Sequence, residues 1–230
     1  MEFMAYINRY FISEEKLQEL LGLTHELFLK YQKLGAIPKC SYHILNNHQV
    51  STDIFGEREI TGGVPGKYYP KAVVDWVNRA KSVLEMLPEE EIENRLKENF
   101  YSDYISVFKQ LKDLKMLYPH FFNSEDELLI EPLEKQAEST WKEHLKGTYG
   151  ICVVNPIDVS AIIQKQVAVT RLIQITDNGQ KAEFSKEEKE AFIDASKTYD
   201  KAAMPFSPVD YPTSSRKRLL DDVKLRLKAN

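Results

Sequence analysis

Two short stretches carry the residue types with which a protein does chemistry. In "WKEHLKGTYGICVV", residues 141–154, an imidazole (His144), a phenol (Tyr149) and a thiol (Cys152) follow one another closely. An imidazole can act as a base and a thiolate as a nucleophile. Trp141 and Tyr149 offer flat walls for a cavity, and Gly147 and Gly150 permit tight backbone turns. A nucleophilic cysteine also needs a lowered pKa and a third group to orient its base, whereas Cys152 within "ICVV" has the surroundings of a small buried apolar residue. The stretch therefore reads as a ligand-contacting wall made of Trp141, His144, Tyr149 and Cys152, with no catalytic residue assigned. An atypical enzyme using the "GTYGIC" loop is the more distant alternative.

The second stretch is "TSSRKR". Ser214 or Ser215 can open a helix whose first turn holds Arg216, Lys217 and Arg218, so backbone N–H groups and guanidinium converge where an anion could sit. Arg216 and Arg218 join the expected ligand contacts, against the plainer expectation that they pair with acids on neighbouring helices. Cys40, His43 and His48 have zinc-type donors, but "C-x2-H-x4-H" lacks a fourth ligand and a CxxC knuckle, so the histidines read as exposed loop residues and no metal is assigned. The paired acids Asp221-Asp222 and the run Glu89 to Glu91 belong to surface-type helical patterns. The chain contains no P-loop, dinucleotide-binding glycine fingerprint, HExxH, GxSxG or kinase set, and no cofactor is expected.

The elements that must position these residues are mostly helical. The 230 residues are 43% apolar, 11% aromatic and 29% charged, the composition of a globular protein that folds without staples. Two distant cysteines suit a reduced compartment, the start "MEFMAYINRY" lacks the marks of a secretory signal, and no apolar run reaches membrane-spanning length, so a cytoplasmic location is expected. The net charge is −4, and the first 80 residues carry nine basic and nine acidic side chains, so neither half is a basic module.

Ser13 is placed to cap the first helix, with Leu17, Leu20 and Leu21 as its apolar face. Gly22 ends it, Thr24 caps a second helix with Leu27, Phe28, Tyr31 and Leu34 on the buried stripe, and Gly35 and Pro38 stop that one. Residues 41–70 read as a hairpin or irregular wing, and "PKAVVDWVNRAKSVLEML" as the helix closing a first module. From Pro88 onward the pattern is helical: one long or two broken helices, then a helix opening on a Ser124/Glu127 capping box with a kink at Pro132. "NPIDVSAIIQKQVAVTRLIQIT", a helix capped by Ser185/Glu188, and "SSRKRLLDDVKLRL" complete a bundle.

The stretch "GLTHELFLKYQKLGAIP" resembles the helix-turn-helix of MerR-type and excisionase-type winged-helix regulators, on Gly22-Leu23-Thr24 and Gly35-Ala36-Ile37-Pro38, with "YYPKAVVDWV" matching the family's tyrosine and helix after the wing. The resemblance implies DNA contacts from His25, Lys30 and Lys33. It departs from the family at Leu29, where an arginine normally meets the backbone, and at Glu26, an acid near the groove-facing end. Phosphate binding needs several cations, and this helix offers few. A second resemblance, carried by "WKEHLKGTYGICVVNPIDVSAIIQKQ", "MPFSPVDYPTSSRKRLLDDV" and "YINRYFISEEKLQELLGL...IPKCSYHI", is to an uncharacterised bacterial family loosely labelled natural-product biosynthesis proteins.

The expectation is thus a mainly α protein, with a winged helix-turn-helix-like module over residues 1–87 and a helical domain over 88–230. It is expected to bind a partner protein or small ligand without catalysing a reaction. A MerR-like DNA-binding regulator is the alternative, with nucleic acid disfavoured as a partner and no membrane expected.

Overall fold

The computed structural model describes residues 2–229. Ser13 caps a helix as its residue type requires: its hydroxyl accepts from the Lys16 backbone N–H, and Gly22 closes the same helix in the left-handed conformation that glycine adopts without cost. Thr24 likewise accepts from the Leu27 N–H. These two helices, α2 (Glu14–Leu21) and α3 (His25–Lys33), are preceded by α1 (Phe3–Tyr10), which the sequence reading missed. No side chain caps α1; it is held by burying Phe3, Tyr6 and Ile7.

What reads as a hairpin or irregular wing is four strands of a sheet. Strands β1 (Phe11–Ser13), β2 (Tyr42–Asn46), β3 (Gln49–Thr52), β4 (Gly56–Glu59) and β5 (Gly66–Pro70) form an antiparallel sheet in the order β1-β5-β2-β3-β4, with hairpins between β2 and β3 and between β3 and β4. Alternation along β2 sends Tyr42 and Ile44 inward and His43 and Leu45 outward. α1 packs there, with Phe3 and Tyr42 edge to face at 5.9 Å.

The rest is helical, so the chain is mainly α: α4 (Val73–Met86), α5 (Glu89–Lys109), the single turn α6 (Leu114–Leu117), α7 (Ile130–Leu145), the short α8 (Tyr149–Cys152), α9 (Val159–Thr176), α10 (Lys186–Ala202) and α11 (Asp222–Ala229), the last entered through a π-turn at Lys217–Asp221. The Ser185/Glu188 capping box forms. The Ser124/Glu127 box does not: the Asn123 side chain takes the Glu125 and Glu127 N–H groups in a turn, and α7 starts six residues later than Ser124 at Ile130. Pro132 makes no kink, because it lies in the first turn of α7, where its missing N–H would have no helical partner.

The cores do not divide at residue 88. Leu34, Ala36 and Ala80 share one apolar cluster with Phe100, Tyr104, Trp141 and Ile163, and Ile151 and Met204 join the cluster under the sheet. The joint is tight: the Lys39 N–H donates to the Leu145 carbonyl (2.8 Å) and the Ser41 hydroxyl to the Gly147 carbonyl (2.6 Å). On the other flank, the Tyr42 phenol donates to the buried Asp210 carboxylate (2.7 Å) and the Tyr6 phenol to the Pro205 carbonyl (2.9 Å), tying the segment between Pro205 and Asp210 to β2 and α1. Among the described residues no helix is long and apolar enough to cross a membrane.

Candidate functional site

Helix α9 is apolar over most of its length, and Lys165 falls on the stripe of Ala161, Ile162, Ala168 and Leu172, one helical turn from each of its neighbours there. The lysine is accordingly buried, with 5% of its surface exposed. Its Nζ lies 4.1 Å from the centre of the Tyr199 ring and donates a long bond (3.4 Å) to the Ser215 hydroxyl, which in turn hydrogen-bonds the Tyr199 phenol (2.9 Å). No carboxylate pairs with it among the described residues. Burial, with Arg216 adding to it, pushes its pKa down to about 8.

Lys165 opens onto a cleft of about 530 Å³ between the β3–β4 turn, the helices α5, α7, α8 and α9, and the segment leading into the π-turn. Its walls combine aromatic surface (Phe55, Tyr104, Tyr118, Tyr149, Phe206) with amides, the mix of apolar body and few polar groups that suits a small ligand. The Gln166 amide orders one wall, accepting from the Tyr104 phenol (3.0 Å) and donating to Tyr149 Oη and Thr140 Oγ1 (both 3.3 Å). Phe55 and Phe206 meet edge to face at 6.1 Å, bringing the sheet's turn and the C-terminal segment together over it.

Tyr149, Cys152 and Arg218 line this cleft. The Cys152 thiol is pushed up by burial, with only Lys165 opposing, and its Sγ points at the Thr148 carbonyl, so it is no activated thiolate. Arg218 sits exposed and donates to the Asn178 side chain. Arg216 does not face a ligand: it pairs with Asp200 (2.8 Å) and Asp221 (3.5 Å).

Trp141 and His144, expected on a ligand wall, lie instead in the core. Both occupy the inward face of α7, where His144 is packed 4.5 Å from Trp76 and 5.6 Å from Phe100, and burial lowers its pKa to about 4. His43 and His48 are exposed, while Cys40 is part-buried and its thiol is pushed up to about 11 by burial. On α3, His25, Lys30 and Lys33 are exposed together with Glu26 and Leu29, but Lys30 is paired with Glu89 at 2.5 Å.

Lys165 and Gln166 escaped the sequence reading, although the signal was present: a charge placed at a core position of an otherwise apolar helix. In the sequence Ser215 reads only as a possible helix start, and Phe55 has no local signal at all.

A mainly helical protein with an N-terminal antiparallel sheet and a lysine-bearing cleft between them is what fold and site define. Residues 96–228 match the model of a family of unknown function (DUF6058), and the chain belongs to that family. The matched region begins within α5, ends within α11 and contains every wall of the cleft except Ile54 and Phe55. No curated protein and no solved structure matches the chain.

Proposed function

We propose that this protein is a small-ligand-binding protein whose cleft takes an organic acid with a flat, apolar body, its anionic oxygens meeting the Lys165 ammonium. The observation that carries this reading is the lysine itself. Among the described residues no carboxylate pairs with this buried ammonium, and the Tyr199 ring, one long hydrogen bond and the nearby Cys152 thiol offset little of the loss of water. A ligand carboxylate, sulfonate or phosphate supplies the missing partner. The aromatic walls then cover the remainder of the ligand.

The probe 8-anilinonaphthalene-1-sulfonate has both parts. Titration into the folded protein is expected to give saturable fluorescence, and Lys165→Met to weaken binding about tenfold, the loss of one charge-assisted hydrogen bond, with an unchanged circular dichroism spectrum. Equal affinity in the variant, or no saturable binding to the natural chain, would refute the assignment.

We infer also that α2 and α3 form a winged helix-turn-helix of the MerR type kept as scaffold rather than used on DNA. Supporting this are the burial of Leu17, Phe28, Tyr69 and Val77 in one cluster, the Lys30–Glu89 pair and the exposed Glu26 and Leu29 where DNA would lie. Fluorescence anisotropy with a random-sequence duplex at about 50 mM salt is expected to show no association. Binding that weakens steeply with salt would restore the regulator reading.

A further inference from the structure

We propose that Lys165 Nζ captures an aldehyde or ketone in the cleft as an imine, so that the site holds carbonyl compounds covalently and reversibly; this rests on the cleft being a ligand site. Imine formation asks four things of a lysine: an uncharged fraction at neutral pH, a path for the carbonyl compound, a hydroxyl near the nitrogen to move protons, and room for the substituent. The first follows from the surroundings of the amine. The ionisable groups around it are Cys152 on α8, Tyr199 on α10 and Arg216 just after Ser215, with Tyr104, Tyr118, Tyr149 and Arg218 elsewhere on the cleft lining. Burial disfavours the ammonium most and Arg216 adds to it, the Cys152 thiol opposing; that thiol and the phenols of Tyr199 and Tyr149 are held neutral by burial, and among the described residues no carboxylate pairs with the amine. A pKa near 8 leaves a reactive fraction of free amine at neutral pH, where exposed lysines have almost none.

The cleft supplies the path and the room. The Ser215–Tyr199 pair supplies the hydroxyl: Ser215 Oγ lies 3.4 Å from Nζ and 2.9 Å from Tyr199 Oη. The Nζ lone pair forms the new bond to the carbonyl carbon, and the C=O π pair moves to the oxygen. That oxygen takes a proton while Nζ gives one up, leaving a carbinolamine. Protonation of the carbinolamine hydroxyl lets the nitrogen pair expel it as water, and C=N forms. Amine and carbonyl become imine and water with no change of oxidation state. Ser215, which touches Nζ, is placed to receive the proton from nitrogen and return one to the departing hydroxyl. The aromatic walls favour an aryl carbonyl compound.

The test uses the full-length chain and 4-hydroxybenzaldehyde with sodium cyanoborohydride, which reduces an imine to a stable amine. Peptide mass mapping is expected to find one fast addition, equal to the aldehyde less one oxygen, at Lys165. Its rate should rise through pH 8, and 8-anilinonaphthalene-1-sulfonate should block it. Lys165→Arg is expected to lose the fast addition, and Ser215→Ala to slow it severalfold. Labelling spread evenly over surface lysines, while the sulfonate still binds, overturns the imine and leaves the cleft assignment standing. Loss of sulfonate binding to the natural chain overturns both. Because the mapping is done on the unaltered chain, a variant that fails to fold does not affect the outcome.

Discussion

Gly147→Ala is expected to lower the melting temperature by roughly 6–12 °C or to prevent folding, a loss of about 3 kcal/mol or more. Gly147 has φ of +78°, and a Cβ there would come within 2.4 Å of the Lys39 carbonyl oxygen and 3.0 Å of the Cys40 carbonyl oxygen. The left-handed conformation alone costs alanine about 1–2 kcal/mol. The collision adds to this because the obstructing atoms are backbone, and that backbone is held by the Lys39 N–H bond to Leu145. The two contributions separate experimentally. Gly22 has a similar φ of +66° but open space around the missing Cβ, so Gly22→Ala is expected to show the conformational cost by itself. Differential scanning calorimetry of both variants checks the prediction; equal losses would mean that the close approach of residues 39–40 to the turn after α7 contributes nothing. The same seam is tight at Gly150, where a Cβ would meet the Ser41 hydroxyl and the Pro70 ring at 2.2 and 2.3 Å. Glycines first noticed as turn formers therefore let the sheet and the helical body approach.

Acidification is expected to destabilise the fold through His144. Its native pKa is pushed down to about 4 by burial, a hydrogen bond to the Pro156 backbone opposing, against an ordinary value of 6.5. A depressed native pKa means that the unfolded chain takes up the proton first. The stabilisation is therefore complete above pH 6.5 and is lost as the pH falls toward 4, by about 2 kcal/mol at pH 5 and about 3 kcal/mol at pH 4. Replacing His144 by phenylalanine suits the aromatic surroundings of Trp76, Phe100 and Trp141 and removes an Nε2 that has no hydrogen-bond partner. Urea unfolding at pH 7.5 and pH 5 is expected to show a fall in stability about 2 kcal/mol smaller in His144→Phe than in the natural chain. An equal fall in both would show that His144 is not protected from protonation.

His144 does not have the job its sequence context suggested, and the departure has a physical cause. Helical periodicity identifies which residues share a face, so Trp141, Thr140, Ala137 and His144 on α7 are recognisable as one side of a helix. It does not say whether that side meets solvent, a cavity or another helix. Here it meets α4 and α5, and the imidazole becomes a core residue.

Features governed by a few neighbouring residues were legible in the sequence. The caps at Ser13, Thr24 and Ser185, the left-handed Gly22 and the long apolar helix α9 depend on hydrogen bonds and side-chain spacing within one or two turns. The same locality misled at Ser124 and Glu127, where the Asn123 side chain, four residues away, takes the Glu127 N–H that the Ser124 hydroxyl would have capped. Helix α1 and strand β1 gave no local signal, because they are held by the packing of Phe3, Tyr6 and Phe11 against Tyr42, and by pairing with β5, far along the chain. The cleft belongs wholly to this second kind. Phe55 comes from the sheet, Tyr104 and Tyr149 from the helical body, and Ser215 from a segment tied down through Tyr42–Asp210. By itself the sequence determined a mainly helical chain and the capped starts of α2, α3 and α10, since those are short-range physics. Only the tertiary structure decided that a lysine on an apolar stripe would be buried without a carboxylate at the wall of a cleft, because burial and charge pairing depend on what distant segments bring to the same place.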